Sequence, residues 1–202
     1  ERSYLDKEVF SDIADEIYNL EKESLYFTDI EQMDYAGITI AGMVASQCGL
    51  PLFNYSNLSL YMDMNERSFL SNVNCLGDVL KDEGYYLHYL GGADINYSNK
   101  GDFYKTHGFA TTEGKYELEG YLDDKTYVTD WGMYDDSIFD IAYKRFETLA
   151  EKEQPFGLFM LTLDTHGYHG YLSKSCEYLS GDNKSPIYNS VKCTSYLTAN
   201  FI

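Results

Sequence analysis

The 202 residues carry 33 acidic against 15 basic side chains, a formal net charge of −18. With no basic stripe, that balance excludes nucleic acid as the expected partner, because phosphate contacts need clustered Lys and Arg. The 44% of hydrophobic residues, 16% of aromatics and three prolines exclude a disordered chain, and the longest apolar run, 156–163, falls far short of the roughly 20 residues a membrane helix needs. The length suits one domain over 1–202. It begins at Glu1 without an initiator Met or signal peptide and stops at Ile202 inside a helical pattern, so that domain is expected to be incomplete at both ends.

In chain order, Val9, Ile13, Ile17 and Leu20 recur at helical spacing between acidic residues, which predicts an amphipathic helix over about 9–23. A strand over 25–29 leads towards Gly37-Ile38-Thr39, after which Ile40, Met43 and Val44 predict a short apolar helix stopped by Gly49 and Pro51. Thr39 falls at its N-terminus. Free N–H groups and the helix dipole favour an anion there, so a hydroxyl nucleophile and a phosphate or sulfate can meet. The alternative is that Thr39 is only an N-cap. Beyond a polar segment, 54–67, a second helix carries Val73, Leu76, Val79 and Leu80 to Gly84, and Tyr85–Leu90 follows as a strand. It runs into Gly91-Gly92-Ala93-Asp94, read as a turn that glycine makes easily, and then into a loop to about Tyr127. Trp131–Asp136 precedes a helix to about Lys152 with its carboxylates in the first turn. Past Pro155, residues 156–163 read as a strand buried on both faces. Helix and strand in alternation predict an α/β fold, a mostly parallel sheet between helices. Ligands then bind beyond the carboxyl ends of the strands, here at Thr39, at Gly91–Asp94 and at Asp164-Thr165-His166.

Each candidate residue has two readings. His166 bonds or protonates a substrate oxygen, or is a structural loop histidine. Lys100 offers a positive charge to an anionic substrate, or is a solvated lysine. Asp94 positions a substrate hydroxyl or forms the turn. Trp131, the one tryptophan, walls a sugar or glycerol group or belongs to the core. Asp135 and Asp136 read as helix-cap charges. Four cysteines without a CxxC pair argue against zinc; pairing by proximity gives Cys48–Cys75 and Cys176–Cys193 and an oxidising compartment, and four buried free thiols are the alternative.

Taken together, the strings Thr39–Leu52, Gly91–Asp94 with His107-Gly108-Phe109 behind it, Trp131–Asp136 and Pro155–His166 resemble one enzyme family in order and wording. Lys174-Ser175-Cys176 and Val191-Lys192-Cys193 extend the likeness over nearly the whole chain. The family is the phosphoglycerol transferases, in the sulfatase-like branch of the alkaline phosphatase superfamily beside the lipoteichoic acid synthases.

The resemblance implies an alkaline phosphatase/sulfatase-like fold and an enzyme anchored at the periplasmic face of the bacterial inner membrane. It implies transfer of phosphoglycerol from phosphatidylglycerol to an osmoregulated periplasmic glucan, with a divalent metal: manganese, or else zinc, magnesium or calcium. Thr39 matches the nucleophile and metal ligand, and His166 the substrate-contacting histidine. Lys100 stands where the lipoteichoic acid synthases have a phosphate-contacting arginine, although that arginine's companion tryptophan and histidine are Ser98 and Gly91 here. The family's metal-binding Glu falls ahead of Glu1-Arg2-Ser3-Tyr4, and an Asp-His pair and a further His fall beyond Ile202, as the N-terminal anchor falls outside. These 202 residues alone are therefore expected to bind metal weakly and turn over nothing. Threonine is a poor nucleophile at neutral pH, and metal coordination is the usual remedy. A sulfatase or phosphodiester hydrolase is the alternative, though Cys48-Gly49-Leu50-Pro51-Leu52 sets its proline one place late for a C/S-x-P-x-R string and lacks the arginine. A non-catalytic glycan-binding domain with an acidic face rich in the chain's 21 tyrosines is the second alternative.

Overall fold

The computed structural model describes residues 10, 12–28, 30–53, 57, 61–63, 68–181 and 184–202. Val9, Asp29, Glu1–Tyr4 and most of the 54–67 segment lie outside the described residues.

The first helix, α1 (Asp15–Glu21), is shorter than the predicted 9–23. Ile13 and Ala14 just ahead of it are buried against Tyr188, which is what the apolar spacing was reporting. The predicted strand at Leu25 does not form: the described residues there are irregular and Leu25 is 93% exposed. An extended segment becomes a strand only when a neighbour takes up its backbone N–H and C=O groups, and none does so among the described residues.

Helix α2 (Thr39–Cys48) buries Ile40, Ala41, Met43 and Val44 and ends on Gly49, whose φ of 68° is the left-handed cap that glycine adopts without strain. A short antiparallel pair, β1 (Met62–Asp63) and β2 (Ser68–Phe69), precedes α3 (Leu76–Asp82) and β3 (Tyr86–Gly91). The predicted loop to Tyr127 instead holds α4 (Lys100–Thr106), β4 (Thr111–Glu113) and α5 (Lys115–Leu118). These elements are too short to show a period in sequence, and packing rather than propensity makes them. Next come α6 (Asp135–Ala150), β5 (Phe156–Leu161) and α7 (Pro186–Phe201).

The strands β4-β3-β5 form a parallel sheet in that order, with Tyr86–Gly91 paired residue for residue against Phe156–Leu161. β5 was expected to be buried on both faces, but every residue in it is half-buried, because β3 is its one partner among the described residues. The buried strand is the central β3. Its alternation divides the core: Leu87 and Tyr89, with Phe159 and Leu161 of β5, pack with α2 and α4, while Leu90, Leu158 and Met160 pack with α6. The sheet thus lies between helices, as expected.

Both disulfides form as paired by proximity. Cys48–Cys75 joins the end of α2 to the start of α3, and Cys176–Cys193 joins the turn at 174–179 to α7. A third tie is ionic. Glu113 of β4 meets His88 of β3 at 2.7 Å and takes two bonds from Arg145 of α6, both 2.9 Å. Burial by itself would raise the Glu113 carboxyl, but the bonds from His88 and Arg145 hold it down at about 2.

Candidate active site

Thr39 is the first residue of α2, and the N-cap is Ile38, which makes no side-chain cap bond. The N-cap reading of Thr39 is thereby corrected: Gly42 N–H bonds to the Ile38 carbonyl, and the Thr39 hydroxyl is exposed with no hydrogen bond among the described residues. It lines a cavity of about 470 Å³ together with Ile38, Tyr97, Ser98, Thr165 and His166. α2, the loop after β3 and the loop after β5 therefore converge at the carboxyl end of the sheet, where an α/β fold binds ligands.

His166 is set by a tight turn, its N–H bonding the Leu163 carbonyl at 2.8 Å, and its ring lies 4.2 Å from that of Trp131. Its Nδ1 is buried without a partner among the described residues. Trp131 arrives on a strap across the end of β3. Thr129 Oγ1 accepts from the N–H groups of Trp131 and Gly132, and Gly132 bridges Ala93. Glycine is needed here for proximity, since a Cβ on Gly132 would stand 2.0 Å from the Gly92 carbonyl oxygen. The Gly91-Gly92 pair was read as a turn exploiting glycine's freedom, but neither has a positive φ, so close packing is the reason for it. Trp131 is 39% exposed, which sets aside its reading as a core residue.

The turn after β3 places two groups. Asp94 Oδ1 accepts from the N–H of Asn96 at 2.9 Å and from its side-chain amide at 3.2 Å, and the carboxylate lines a second cavity of about 180 Å³ with Tyr97, Lys115, Tyr116, Asp130 and Trp131. Tyr97 borders both cavities. Ser98 and Asn99 follow with φ of 56° and 58°, two successive non-glycine residues in the left-handed region. Such strain persists where surrounding contacts over-determine it, and it clusters at functional sites.

Lys100 is among those contacts. It is not solvated: it is 3% exposed, and its ammonium donates to the Tyr97 carbonyl at 2.7 Å. Burial lowers its pKa while Asp94 works against that shift. Lys100 is off the wall of the Thr39 cavity.

Sequence reasoning missed a buried acid network behind His166. Asp135 is fully buried, not a simple cap charge, and accepts from Leu163 N–H and from Thr194 Oγ1 at 2.8 Å, tying the segment after β5 and α7 to the start of α6. Ser173 Oγ donates to Asp164 Oδ2 and accepts from Asp136 N–H, and Asp164 Oδ1 is buried without a partner among the described residues. Burial first, and the neighbouring Asp135 next, push the Asp164 carboxyl up to about 8. Burial likewise raises Asp135. Tyr97 was also missed, with no local signal to mark it, and Ser98 was met only as the position where the resemblance expects a tryptophan.

For a divalent metal, Thr39 Oγ1 fits as one uncommitted oxygen ligand. Among the described residues the one group of three metal-ligating types is Cys48, Cys75 and His107, at the other end of α2. It is no metal site, since the sulfurs are bonded to each other and His107 is held by Asp78 at 2.7 Å and by the Phe69 carbonyl at 3.0 Å. A complete donor set around Thr39 is thus not among the described residues.

Residues 17–202 match the sulfatase family. The chain is 40% identical to phosphoglycerol transferase I of Escherichia fergusonii and 40% identical to that of an Escherichia coli strain, aligning along all of its own length and 27% of theirs. It therefore spans about a quarter of the length of these relatives. Among solved structures it is similar to the lipoteichoic acid synthase LtaP of Listeria monocytogenes, with a TM-score of 0.76 at 15% identity over 96% of this chain and 46% of that one. A protein of the alkaline phosphatase superfamily from Vibrio parahaemolyticus gives 0.62 at 22% identity over 79% and 37%. The Streptococcus pyogenes phosphoglycerol transferase GacH, in complex with sn-glycerol-1-phosphate, gives 0.51 at 15% identity over 94% and 50%. At these identities the structures speak for the fold, which is alkaline phosphatase/sulfatase-like.

Proposed function

The chain belongs to the sulfatase family, and from that premise we propose that it is the nucleophile-bearing part of a single catalytic domain, over 1–202, of a phosphoglycerol transferase. On this reading the Thr39 oxygen attacks the phosphorus of phosphatidylglycerol. The P–O bond to diacylglycerol breaks, diacylglycerol leaves with a proton, and phosphoglycerol remains on Thr39. A hydroxyl of a periplasmic glucan then attacks the same phosphorus and frees the threonine. The observation that carries the reading is the Thr39 hydroxyl itself, uncommitted at the first turn of α2 in a cavity it shares with His166.

The chain's own residues divide the work. The first turn of α2 favours the anionic phosphoryl group. His166, oriented by its turn and by Trp131, faces the phosphoryl oxygens and is the proton donor at hand for the departing alkoxide. Lys100 holds the Tyr97-Ser98 loop from behind, and Asp94 with Trp131 bounds the space where an acceptor or the glycerol group lies. Members of this family generally use a divalent metal. We assign manganese here, with zinc, magnesium or calcium as alternatives, Thr39 as one ligand and the rest from outside these residues. When bound, it supplies charge neutralisation at phosphate and a lowered hydroxyl pKa. Among the described residues no helix is long and apolar enough to cross a membrane; the anchor at the periplasmic face of the inner membrane belongs, on this reading, to chain outside these residues.

A sulfatase using formylglycine is disfavoured on a specific ground. Cys48, the residue nearest to that motif, is bonded to Cys75 and is not available for oxidation.

The test is full-length protein with manganese, phosphatidylglycerol and a glucan. Diacylglycerol release is expected, lost on chelation, restored by manganese, and abolished by Thr39→Ala. Full release by Thr39→Ala ends the proposal, and binding of glucan with no release by wild type favours a glycan-binding module instead.

A further inference from the structure

We propose that the second cavity, walled by Asp94, Tyr97, Lys115, Tyr116, Asp130 and Trp131, binds one neutral sugar ring and aims a hydroxyl of it at the phosphoryl group in the Thr39 cavity. This rests on the phosphoglycerol-transfer reading and names the acceptor subsite within it.

The two cavities adjoin. Tyr97 lines both, its ring meets that of Trp131 edge-on at 5.6 Å, and Trp131 in turn lies 4.2 Å from His166. A ligand seated against Trp131 is therefore beside the group that faces the phosphorus.

Charge sorts the ligands between them. Among the described residues the Thr39 cavity has no acidic side chain on its wall, only hydroxyls, backbone, the aliphatic Ile38, an aromatic and a histidine. The second cavity sets two carboxylates, Asp94 and Asp130, against one ammonium, Lys115. Like charge repels a phosphate from the second cavity and leaves the first open to it. What suits the second is a neutral group rich in hydroxyls, which the carboxylates accept from and the ammonium donates to.

Shape narrows the choice to a ring. Tyr116 is 60% exposed, Tyr97 56% and Trp131 39%, so three aromatic surfaces stand ready to cover the apolar C–H face of a sugar. At about 180 Å³ the cavity takes a single unit, with the rest of an oligosaccharide outside. Asp94 is already held by Asn96, and the backbone that carries Lys115 is fixed by the Ala93 carbonyl at 3.0 Å. Glycerol offers the same hydroxyls but no ring face.

The test uses full-length protein and saturation-transfer NMR with three probes: a β-linked gluco-oligosaccharide, glycerol and inorganic phosphate. The oligosaccharide is expected to bind saturably, with its ring protons saturated from aromatic side chains, and Tyr116→Ala and Asp130→Asn are each expected to raise its Kd about tenfold or more. Inorganic phosphate bound alike by all three proteins shows that the variants fold. The proposal is overturned if wild type gives no saturable oligosaccharide binding, if no transfer arises from aromatic frequencies, if both variants bind as wild type does, or if glycerol binds as tightly as the oligosaccharide. The wild-type readings stand even where a variant fails to fold. Thr39→Ala is expected to keep oligosaccharide binding, so the two claims fail separately: diacylglycerol release by Thr39→Ala sinks the nucleophile, and loss of sugar binding sinks the subsite.

Discussion

The place of Thr39 at a helix start was legible because such a start has a local signature: a glycine, a hydroxyl and then an apolar period. The signature could not separate a cap from a free hydroxyl, because that depends on which residue supplies the cap, and Ile38 does. The solvated reading of Lys100 fails for a related reason. A lysine in a polar sequence reads as solvated, whereas here a folded loop buries its stem and employs its ammonium on Tyr97. Asp164 shows what sequence hides altogether, since its environment is assembled from Asp135, Asp136 and Ser173. Its raised pKa means that the folded state binds this proton more tightly than the unfolded chain does. The associated stability is fully present below the ordinary carboxyl value of 3.8 and is lost as pH rises through about 8. Melting temperature measured from pH 6 to 9 is expected to fall in the wild type, and Asp164→Asn, which cannot ionise, should flatten that fall. An identical slope in the variant would place the titration elsewhere.

Elements with a clear period, α2, α3, β3 and α6, stood out in the sequence, and their alternation was enough to give a parallel sheet between helices. What stayed hidden is made by tertiary contact. β4 is three residues long and exists because Glu113 reaches both His88 and Arg145. Arg145→Met should therefore cost about 2 kcal/mol in chemical denaturation, the scale of hydrogen bonds to a charged group. Glu113 works in the opposite direction from Asp164. Its depressed pKa gives stability that is present above the ordinary value of 4.5 and lost as pH falls towards about 2. A cost below a few tenths of a kcal/mol would mean that the tie is ornamental. The disulfides bear on α2 and α7. Replacing Cys48 and Cys75 together by Ala should lower stability by about 3.5 kcal/mol in the chain-entropy model for a separation of 27 residues. Denaturation of the double variant under non-reducing conditions gives the number, and equal stability would show that the bridge constrains nothing.

For the molecule as a whole, three segments far apart in sequence, the starts of α2 and of the loops after β3 and β5, meet at one end of the sheet. That convergence was predictable from topology alone, because parallel strands end on one side. The pairing of a cavity that is neutral among the described residues with an acidic one was not, since α5 and the Trp131 strap reach the site only through packing. The chain spans 27% of its relatives' length, so the proposed activity is read on full-length protein. The central claim is a covalent bond to one oxygen atom. Full-length protein given manganese and phosphatidylglycerol without acceptor, quenched and digested, should show by mass spectrometry a phosphoglycerol adduct on the peptide at Thr39, absent from Thr39→Ala. An adduct on another residue, or diacylglycerol release by Thr39→Ala with no adduct there, would contradict the account.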